Sequence, residues 1–352
     1  MKAEFLLTLF SKQQPRRSHV IYALLKQQTT GSTEYWGLRY HLLDWIGLLP
    51  QLYKQDYENM LQDLLSERCL RQSEKGLYIL TDKGELMAKR YAEEHYLLQL
   101  PLERYTYQTA SFMQLFLLAN QVVSEWSHQN RHYYPMQIGL RQQQLIKQWF
   151  KRQDRANLLD AWKSDLTGFL ASLSEKQADR LAASFVGHTH AGLNFDQLNF
   201  PKTWDDFDFY LWQLDRYTEL IQYMETHFLN DNPMVQLYAF VGKKPRLSDS
   251  VQASFMAAKQ GASFQDIAQQ RHLKLGTVQE HLLTASIWLP VSDFPYERYL
   301  TDDVKKHLSE RLPDQDIDNW RFQMVRESSD IQEFFNFRLY QIWLTKQETS
   351  DE

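Results

Sequence analysis

The chain has 352 residues, of which 43% are hydrophobic and 24% are charged, and its formal net charge is −5. This length is sufficient for two or three domains with separate cores, while the negative charge excludes a protein that coats nucleic acid with its whole surface. The single cysteine, Cys69, excludes an intramolecular disulfide and a zinc site made of several cysteines.

Neither a membrane segment nor a signal peptide is apparent in the sequence. No segment reaches the ~20 apolar residues that a membrane-spanning helix needs, and the apolar run Phe5–Phe10 is too short for a signal peptide. We therefore expect a soluble cytoplasmic protein without membrane contact, for which association with the nucleoid is open. The small numbers of glycines and prolines, 12 and 10, favour a mainly α fold.

Residues 1–96 have the element order of a winged helix. Apolar residues recur at helical spacing in three stretches, and two short predicted strands then flank a Gly-containing turn at Ser73–Gly76. This order resembles the winged-helix fold, with a small β-hairpin as the wing. The hairpin carries charges of both signs, so DNA contact and a structural or partner-docking role are both open. The predicted elements are helices at Ser18–Gln28, Tyr35–Ile46 and Asp56–Arg68, strands at Cys69–Gln72 and Leu77–Leu80, and a last helix that Thr81 caps.

Residues 97–240 are predicted to form an all-α domain rich in aromatic side chains. Phe112, Leu115 and Phe116 recur at helical intervals, as do Trp149 and Leu158 further on. This pattern is typical of a packed core. Breaks between helices are expected at His132–Pro135, Ser172–Glu175 and Val186–Phe200.

Two polar clusters in this domain admit both a site and a structural interpretation. His188 and His190, with Asp196, have the residue types of a metal site, but the absence of a further ligand motif in register favours a surface turn. The acidic run Asp205–Asp208 is explained more simply as the start of a helix, where carboxylates meet the positive end of the helix dipole. A pair of catalytic carboxylates there has no other support.

Residues 241–290 contain the most informative pattern of the chain. Ser263 and Asp266 have the spacing of a capping box at the start of a short helix. A second helix is expected to begin between Lys274 and Thr277, with Thr277 and Glu280 again at capping-box spacing. We interpret the pair as a helix-turn-helix, an element that reads the major groove of DNA. A helical hairpin inside an all-α core is the alternative.

The helix-turn-helix is a basic segment of an acidic chain. Basic residues outnumber acidic ones between Lys243 and Thr284, as expected for a small module that contacts phosphates. A linker at Val241–Leu247 separates it from the middle domain. For Arg271 the alternative is a structural role, on the last carbonyls of its helix or on Asp266. The predicted DNA-binding residues are Lys243, Lys244, Arg246, Arg271 and Lys274 for phosphates, and Gly276, Thr277, Gln279 and Glu280 near the groove.

The sequence has no recognisable catalytic or nucleotide-binding motif. Gly242-Lys243-Lys244 lacks the upstream glycine and the following Ser or Thr of a P-loop, and neither a Gly-x-Ser-x-Gly elbow nor a His-Glu-x-x-His helix is present. Cys69 falls between the third helix and the wing, where a buried, inert thiol is expected. We expect a protein that is not an enzyme and has no catalytic residue, cofactor or metal ion. Residues 291–352 are predicted to be a helical tail.

The helix-turn-helix resembles the module at the carboxy-terminal end of some bacterial RecQ-type DNA helicases. The similar residues are Ser263-Phe264-x-x-Ile267-Ala268-x-x-Arg271-x-Leu273 and Thr277-Val278-x-x-His281-Leu282. The segment Phe334–Leu339 is similar to the aromatic segment that follows the module there. The same module occurs in stand-alone proteins of the YpbB-like family, which the winged helix and the aromatic middle domain also resemble. The segment Thr277-Val278-x-x-His281-Leu282 is also similar to the LuxR-type regulator module, but Arg271 stands where that family usually has an aliphatic residue.

This resemblance implies a DNA-binding accessory protein that works with a RecQ-type helicase in DNA repair or recombination. The helicase would supply the motor, because this chain lacks the ATPase and cysteine-rich zinc regions of the helicases. A helix-turn-helix transcriptional regulator is one alternative; it would need base discrimination and usually a dimer. A protein-interaction scaffold without DNA binding is another, consistent with the acidic net charge.

Overall fold

A computed structural model of the protein describes residues 2–313, 316–328 and 330–350, with side chains as far as residue 348. This part of the chain is mainly helical, with one small three-stranded sheet, which confirms the predicted fold class. The strands are β1 Arg16–Arg17, β2 Leu70–Glu74 and β3 Leu77–Leu80. The helices are α1 Glu4–Leu7, α2 Ser18–Lys26, α3 Gly31–Arg39, α4 Lys54–Ser66, α5 Asp82–Glu94, α6 Pro101–Thr106, α7 Thr109–Ser127, α8 Leu140–Arg152, α9 Leu158–Ser172, α10 Glu175–Ala183, α11 Asp206–His227, α12 Pro233–Tyr238, α13 Asp249–Lys259, α14 Phe264–Arg271, α15 Leu275–Trp288, α16 Tyr296–Tyr299, α17 Asp302–Arg311 and α18 Ile331–Ser350.

The chain packs as two compact units, and each is built from non-consecutive segments. The last passage of the chain from the first unit to the second lies between Lys244 and Pro245, inside the segment predicted as a linker. The four-part division into residues 1–96, 97–240, 241–290 and 291–352 stays a prediction. Unit 1 contains Met1–Gln13, Met60–Arg71 and Leu80–Lys244, and unit 2 contains Gln14–Asn59, Gln72–Ile79 and Pro245–Glu352.

The amino-terminal elements follow the predicted winged-helix order. Helices α2 to α4 precede the β2–β3 hairpin, and α5 follows it. The two-residue strand β1 was not predicted; it pairs antiparallel with β3, so that the sheet order is β1-β3-β2. Helix α3 begins earlier than predicted because Thr30 and Thr33 form a capping box.

The start of α5 shows why threonine and glycine occur there. Thr81 Oγ1 accepts the amide hydrogen of Gly84 at 3.1 Å and so caps the helix, as predicted. A Cβ atom on Gly84 would lie 1.9 Å from the carbonyl oxygen of Cys69. Only glycine permits this close approach of α5 to the segment between α4 and β2.

Unit 1 has an aromatic core, as the sequence predicts. Phe112 and Phe116 of α7 are fully buried, and Trp149 and Leu158 are each 1% exposed. The rings of Phe116 and Trp162 stack with centroids 5.4 Å apart. Such pairs add to the stabilisation that burial of the rings provides.

The acidic run Asp205–Asp208 has structural partners in unit 1. Asp205 is the N-cap of α11 and accepts the amide hydrogens of Phe207 and Asp208 at 2.8 and 3.2 Å, which confirms the predicted helix start. The fully buried Asp208 accepts the amide of Tyr96 at 2.8 Å and lies 2.7 Å from His95 Nδ1. These bonds hold the segment after α5 against α11.

Unit 2 is organised around α15. Helices α13, α14, α3 and α18 all pack against it. Arg39 of α3 is 9% exposed and binds Asp318 at 2.8 Å and Glu348 at 2.6 Å. The amino-terminal helix α3 therefore belongs to the same core as the carboxy-terminal helices.

Candidate nucleic-acid interface

Helices α14 and α15 form a helix-turn-helix with the predicted boundaries. Ser263 accepts the amide of Asp266 at 3.1 Å, and the Asp266 carboxylate accepts the amide of Ser263 at 3.0 Å, so the predicted capping box is present. Helix α14 ends at His272, whose φ of 52° lies in the left-handed region. Helix α15 begins at Leu275 with Lys274 as its N-cap. A capping box at Thr277 was wrongly expected, because Thr277 already lies inside α15.

A small apolar core fixes the angle between these helices. Ile267 of α14 and Val278 and Leu282 of α15 are all fully buried. At the start of α14, the ring of Phe264 stacks on Tyr299 at 5.3 Å and meets Phe335 edge-on at 5.0 Å. Residues of the carboxy-terminal tail therefore complete the core of the helix-turn-helix.

A polar junction joins α13, α14 and α15 at Ser254, which is fully buried. Arg271 donates one Nη1 bond to the Ser250 carbonyl at 2.6 Å and another to Ser254 Oγ, and its Nη2 donates to Ser250 Oγ at 3.0 Å. Ser254 Oγ also lies 2.8 Å from His281 Nδ1 of α15. Burial, reinforced by the charge of Arg271, lowers the pKa of His281. Arg271 thus connects helices, although the partners differ from the two that the sequence suggested.

A second arginine fixes the turn between α13 and α14. Arg298 of α16 donates to the carbonyl oxygens of Ala258 at 2.5 Å and of Gly261 and Ala262 at 2.8 Å. These carbonyls lie at and beyond the end of α13, where helix carbonyls need donors from outside the helix; that of Ala258 also accepts the amide of Gly261 at 3.0 Å. The tail therefore supports the turn as well as the core.

The first turn of α15 is the accessible end of the predicted site. Lys274 and Glu280 are exposed, and Gly276 and Thr277 are partly exposed. A Cβ atom added to Gly276 would meet nothing within 4 Å. The side chains leave room here for a bulky ligand to approach the backbone, at a helix end whose amide hydrogens attract anions.

Gln279 does not share this surface. Its side chain is 6% exposed, and its Nε2 lies 3.5 Å from Gln332 Oε1 of α18. The last turn of α15 is also covered, since Ala285, Ser286, Ile287 and Trp288 are buried. The exposed residue of this helix, Glu280, lies in its N-terminal half.

Two of the basic residues before α13 contact side chains of unit 1. Lys243, in unit 1, forms an ion pair with Glu225 at 2.6 Å, and its ammonium lies 4.9 Å from the centre of the Tyr107 ring. Lys244, also in unit 1, lies 4.7 Å from the centre of the Tyr105 ring. Both lysines therefore have partners within unit 1.

Arg246 belongs to unit 2 and is exposed, but it lies near the other end of α15. Together with burial, its charge lowers the pKa of Lys346 to about 8, and Lys346 Nζ donates to the carbonyl of Leu289 just after α15. A 14-residue helix is ~21 Å long, so Arg246 and Lys274 are far apart.

Sequence reasoning missed three exposed polar residues beside Lys274. Gln269 and Gln270, near the end of α14, and His272 in the turn are exposed. They follow the last buried residue of α14, Ile267, at positions that face away from the core. This helical periodicity was the available signal.

Neither a metal site nor a reactive thiol is supported in the residues that the structure describes. No group of three His, Cys, Asp or Glu side chains among them could hold a metal ion. Cys69 is buried, and burial raises the pKa of its thiol, which disfavours the reactive thiolate. No helix in the described segments is long and apolar enough to cross a membrane.

Comparison with known families identifies a helix-turn-helix domain at residues 250–341. The match begins in α13 and extends past α15 into α18, so it includes the tail that completes the core and the segment Phe334–Leu339. Neither a curated protein nor a solved structure matches the chain. The presence of this domain supports DNA binding.

Proposed function

We propose that the protein binds DNA through the N-terminal end of α15 and the adjoining end of α14. The observation that supports this best is a complete helix-turn-helix, matched at residues 250–341, in which Lys274, Gly276 and Thr277 remain accessible. Lys274 neutralises a phosphate, and Gly276 lets the DNA backbone approach the first amide hydrogens of α15.

The accessible residues suit phosphate contacts better than base reading. Gln279, the side chain with the best geometry for adenine, is buried against α18, and Gly276 has no side chain with which to read a base. Glu280 is the acidic residue at this end of α15. Its carboxylate can accept a hydrogen bond only from a base that offers an amino group, such as cytosine. Binding with little sequence preference fits an accessory factor better than a transcriptional regulator.

We further propose that the chain is not an enzyme and works in the cytoplasm with a RecQ-type helicase in repair or recombination. The support is the resemblance of residues 263–282 and 334–339 to the helicase-associated module and to the YpbB-like proteins. The helicase would provide unwinding, and this chain would hold DNA beside it.

Fluorescence anisotropy with labelled duplex and forked DNA of unrelated sequences tests DNA binding. We expect similar affinities for the different sequences and a steep fall with salt, because phosphate contacts carry no sequence information. Recovery of one sequence motif from random DNA would instead establish a regulator. If the protein binds none of the DNA forms, the remaining interpretation is a protein-interaction scaffold.

Purification of the tagged full chain from its native cells, with nuclease treatment, tests the helicase proposal. A RecQ-type helicase recovered after nuclease indicates direct contact. If the helicase is recovered only without nuclease, DNA bridges the two proteins, and its absence from both samples contradicts the partnership.

A further inference from the structure

Unit 1 contains a second basic surface that the helix-turn-helix does not explain. A cleft of about 720 Å³ lies between α7 and α8, and the segment that joins these helices contributes to its lining. The lining includes three aromatic and three cationic side chains. They are Trp126, Tyr133, Phe150, Arg131, Lys147 and Arg155.

The cations of this cleft are available to a ligand. Arg131, Lys147 and Arg155 are exposed, and the described residues offer Arg131 and Lys147 neither an ion pair nor a hydrogen bond. The surrounding sequence contains no Asp or Glu from Trp126 to Gln153. In a chain with a net charge of −5, this is a locally positive surface that attracts anions.

The two nearest acidic residues along the chain are already engaged. Glu125 is 5% exposed and lies 2.8 Å from His188 Nδ1, and it accepts a 2.7 Å bond from Asn130. Asp154 accepts from the amide of Ala156 at 3.0 Å and from the Asn157 side chain at 2.7 Å. Neither carboxylate forms an ion pair with the cations of the cleft.

The aromatic side chains provide flat surfaces beside these cations. Trp126 and Phe150 meet edge-on with ring centres 6.1 Å apart, and both are only partly buried. The guanidinium of Arg155 lies 5.3 Å from the centre of the Phe150 ring. Cations next to partly exposed aromatic rings are the combination with which proteins hold unpaired bases and the phosphates between them.

We propose that this cleft binds single-stranded nucleic acid, with a base stacked on Trp126 or Tyr133 and the adjoining phosphates on Arg131, Lys147 and Arg155. A duplex keeps its bases stacked on each other and cannot offer this face. All residues of the cleft belong to unit 1, so binding here does not depend on DNA binding by the helix-turn-helix.

Anisotropy of a short labelled oligothymidylate, which forms no duplex, tests the proposal on the full chain. We expect the double variant Arg131→Gln/Lys147→Gln to bind at least about fivefold more weakly. The slope of log affinity against log salt should become shallower by about 0.7 for each lost contact. The matched control is Lys163→Gln/Lys176→Gln, which removes two exposed lysines of unit 1 outside the cleft and should leave affinity and slope unchanged. Equal effects of the two double variants would overturn the proposal.

The aromatic contribution has a test of its own. Trp126→Leu should weaken binding about tenfold with an unchanged salt slope, because stacking involves no counterion release; circular dichroism checks that the variant is folded. If Trp126→Leu is unfolded, Tyr133→Leu takes its place. An unchanged affinity in the folded variant would contradict stacking in the cleft.

Competition identifies the source of the bound base. Thymidine monophosphate should displace the oligonucleotide only at far higher concentration, because it offers a single phosphate. Equal competition would assign the cleft to free nucleotides, and equal competition by polyglutamate would assign it to acidic peptides; either result overturns the single-strand proposal. The cleft variants are tested on oligothymidylate and the helix-turn-helix variants on duplex DNA, so failure of the helix-turn-helix proposal is distinguishable from failure of this one.

Discussion

Two basic stretches of the chain look alike in sequence and differ in what their cations do. In the stretch from Lys243 to Thr284, Lys243 pairs with Glu225, and Arg271 binds Ser250 and Ser254. In the α7–α8 cleft, Arg131 and Lys147 have no such partner among the described residues. A count of charges along the sequence therefore overestimates how many cations of the first stretch are available to phosphates. The cations of the second stretch form one surface only because α7 packs beside α8.

The largest effect that tests this comparison is expected at Arg271. Arg271→Ala removes three hydrogen bonds between α14 and α13 and should destabilise the protein by about 1–2 kcal/mol in urea denaturation. The matched variant Arg246→Ala removes an exposed arginine of the same unit and should change stability by less than ~0.5 kcal/mol. A stable Arg271→Ala protein with a shallower salt slope for duplex DNA would make Arg271 a phosphate contact instead.

Lys274 provides the opposite case, a cation that is exposed at the start of α15. Lys274→Ala should leave the free energy of unfolding unchanged and make the salt slope for duplex DNA shallower by about 0.9. Lys243→Ala is the control, because its charge already pairs with Glu225 in unit 1. The two variants are compared by anisotropy across a salt series. A slope change for Lys243→Ala alone would place the footprint before α13.

A smaller effect is expected from pH, through His281. The pKa of His281 in the folded protein lies below its ordinary value of 6.5 because the ring is partly buried and near Arg271, with Glu280 opposing this shift. Near pH 6.5 His281 is therefore protonated to a greater extent in the unfolded chain than in the folded protein. The free energy of unfolding consequently falls as pH decreases from neutrality. His281→Gln should show a shallower loss of stability than the parent between about pH 7 and pH 5. Parallel curves for the two proteins would contradict the depressed pKa.

The smallest effect is expected in the turn between α14 and α15. His272 has φ 52°, a conformation that costs residues with a Cβ atom about 1 kcal/mol. His272→Gly should therefore raise the free energy of unfolding by a few tenths of a kcal/mol, since glycine also gains entropy in the unfolded chain. His272→Ala keeps the Cβ and serves as the control. A gain in both variants would point to the imidazole and not to the backbone.

Local features of the sequence were predicted well because their partners are close along the chain. The capping box of Ser263 and Asp266, the cap at Thr81 and the helix start at Asp205 each join residues three positions apart or fewer. The aromatic core of unit 1 was predicted from helical periodicity, which the buried Phe112 and Phe116 confirm.

Features that depend on distant residues were missed. Arg271 reaches 21 residues back to Ser250, and Gln279 lies against Gln332, 53 residues ahead; neither separation follows from periodicity. Strand β1 has two residues, too few to show alternation. The cleft had a weak signal in its long stretch without acids, but the pairing of α7 with α8 that joins Trp126 to Phe150 was not visible.

The shared core of α3, α15 and α18 has a consequence for synthesis on the ribosome. Trp288 of α15 donates to Glu34 of α3, 254 residues earlier in the chain. A ribosome that adds ~5–20 residues per second needs roughly 10 to 50 s to cover that distance. In the folded protein Tyr35 is 1% exposed, and its ring centre lies 3.8 Å from the Arg338 guanidinium. During this interval Tyr35 has been synthesised, but the helices that cover it have not. The nascent chain therefore exposes an aromatic surface until its last helices arrive, and a chaperone that binds such surfaces would engage it before α18 is made.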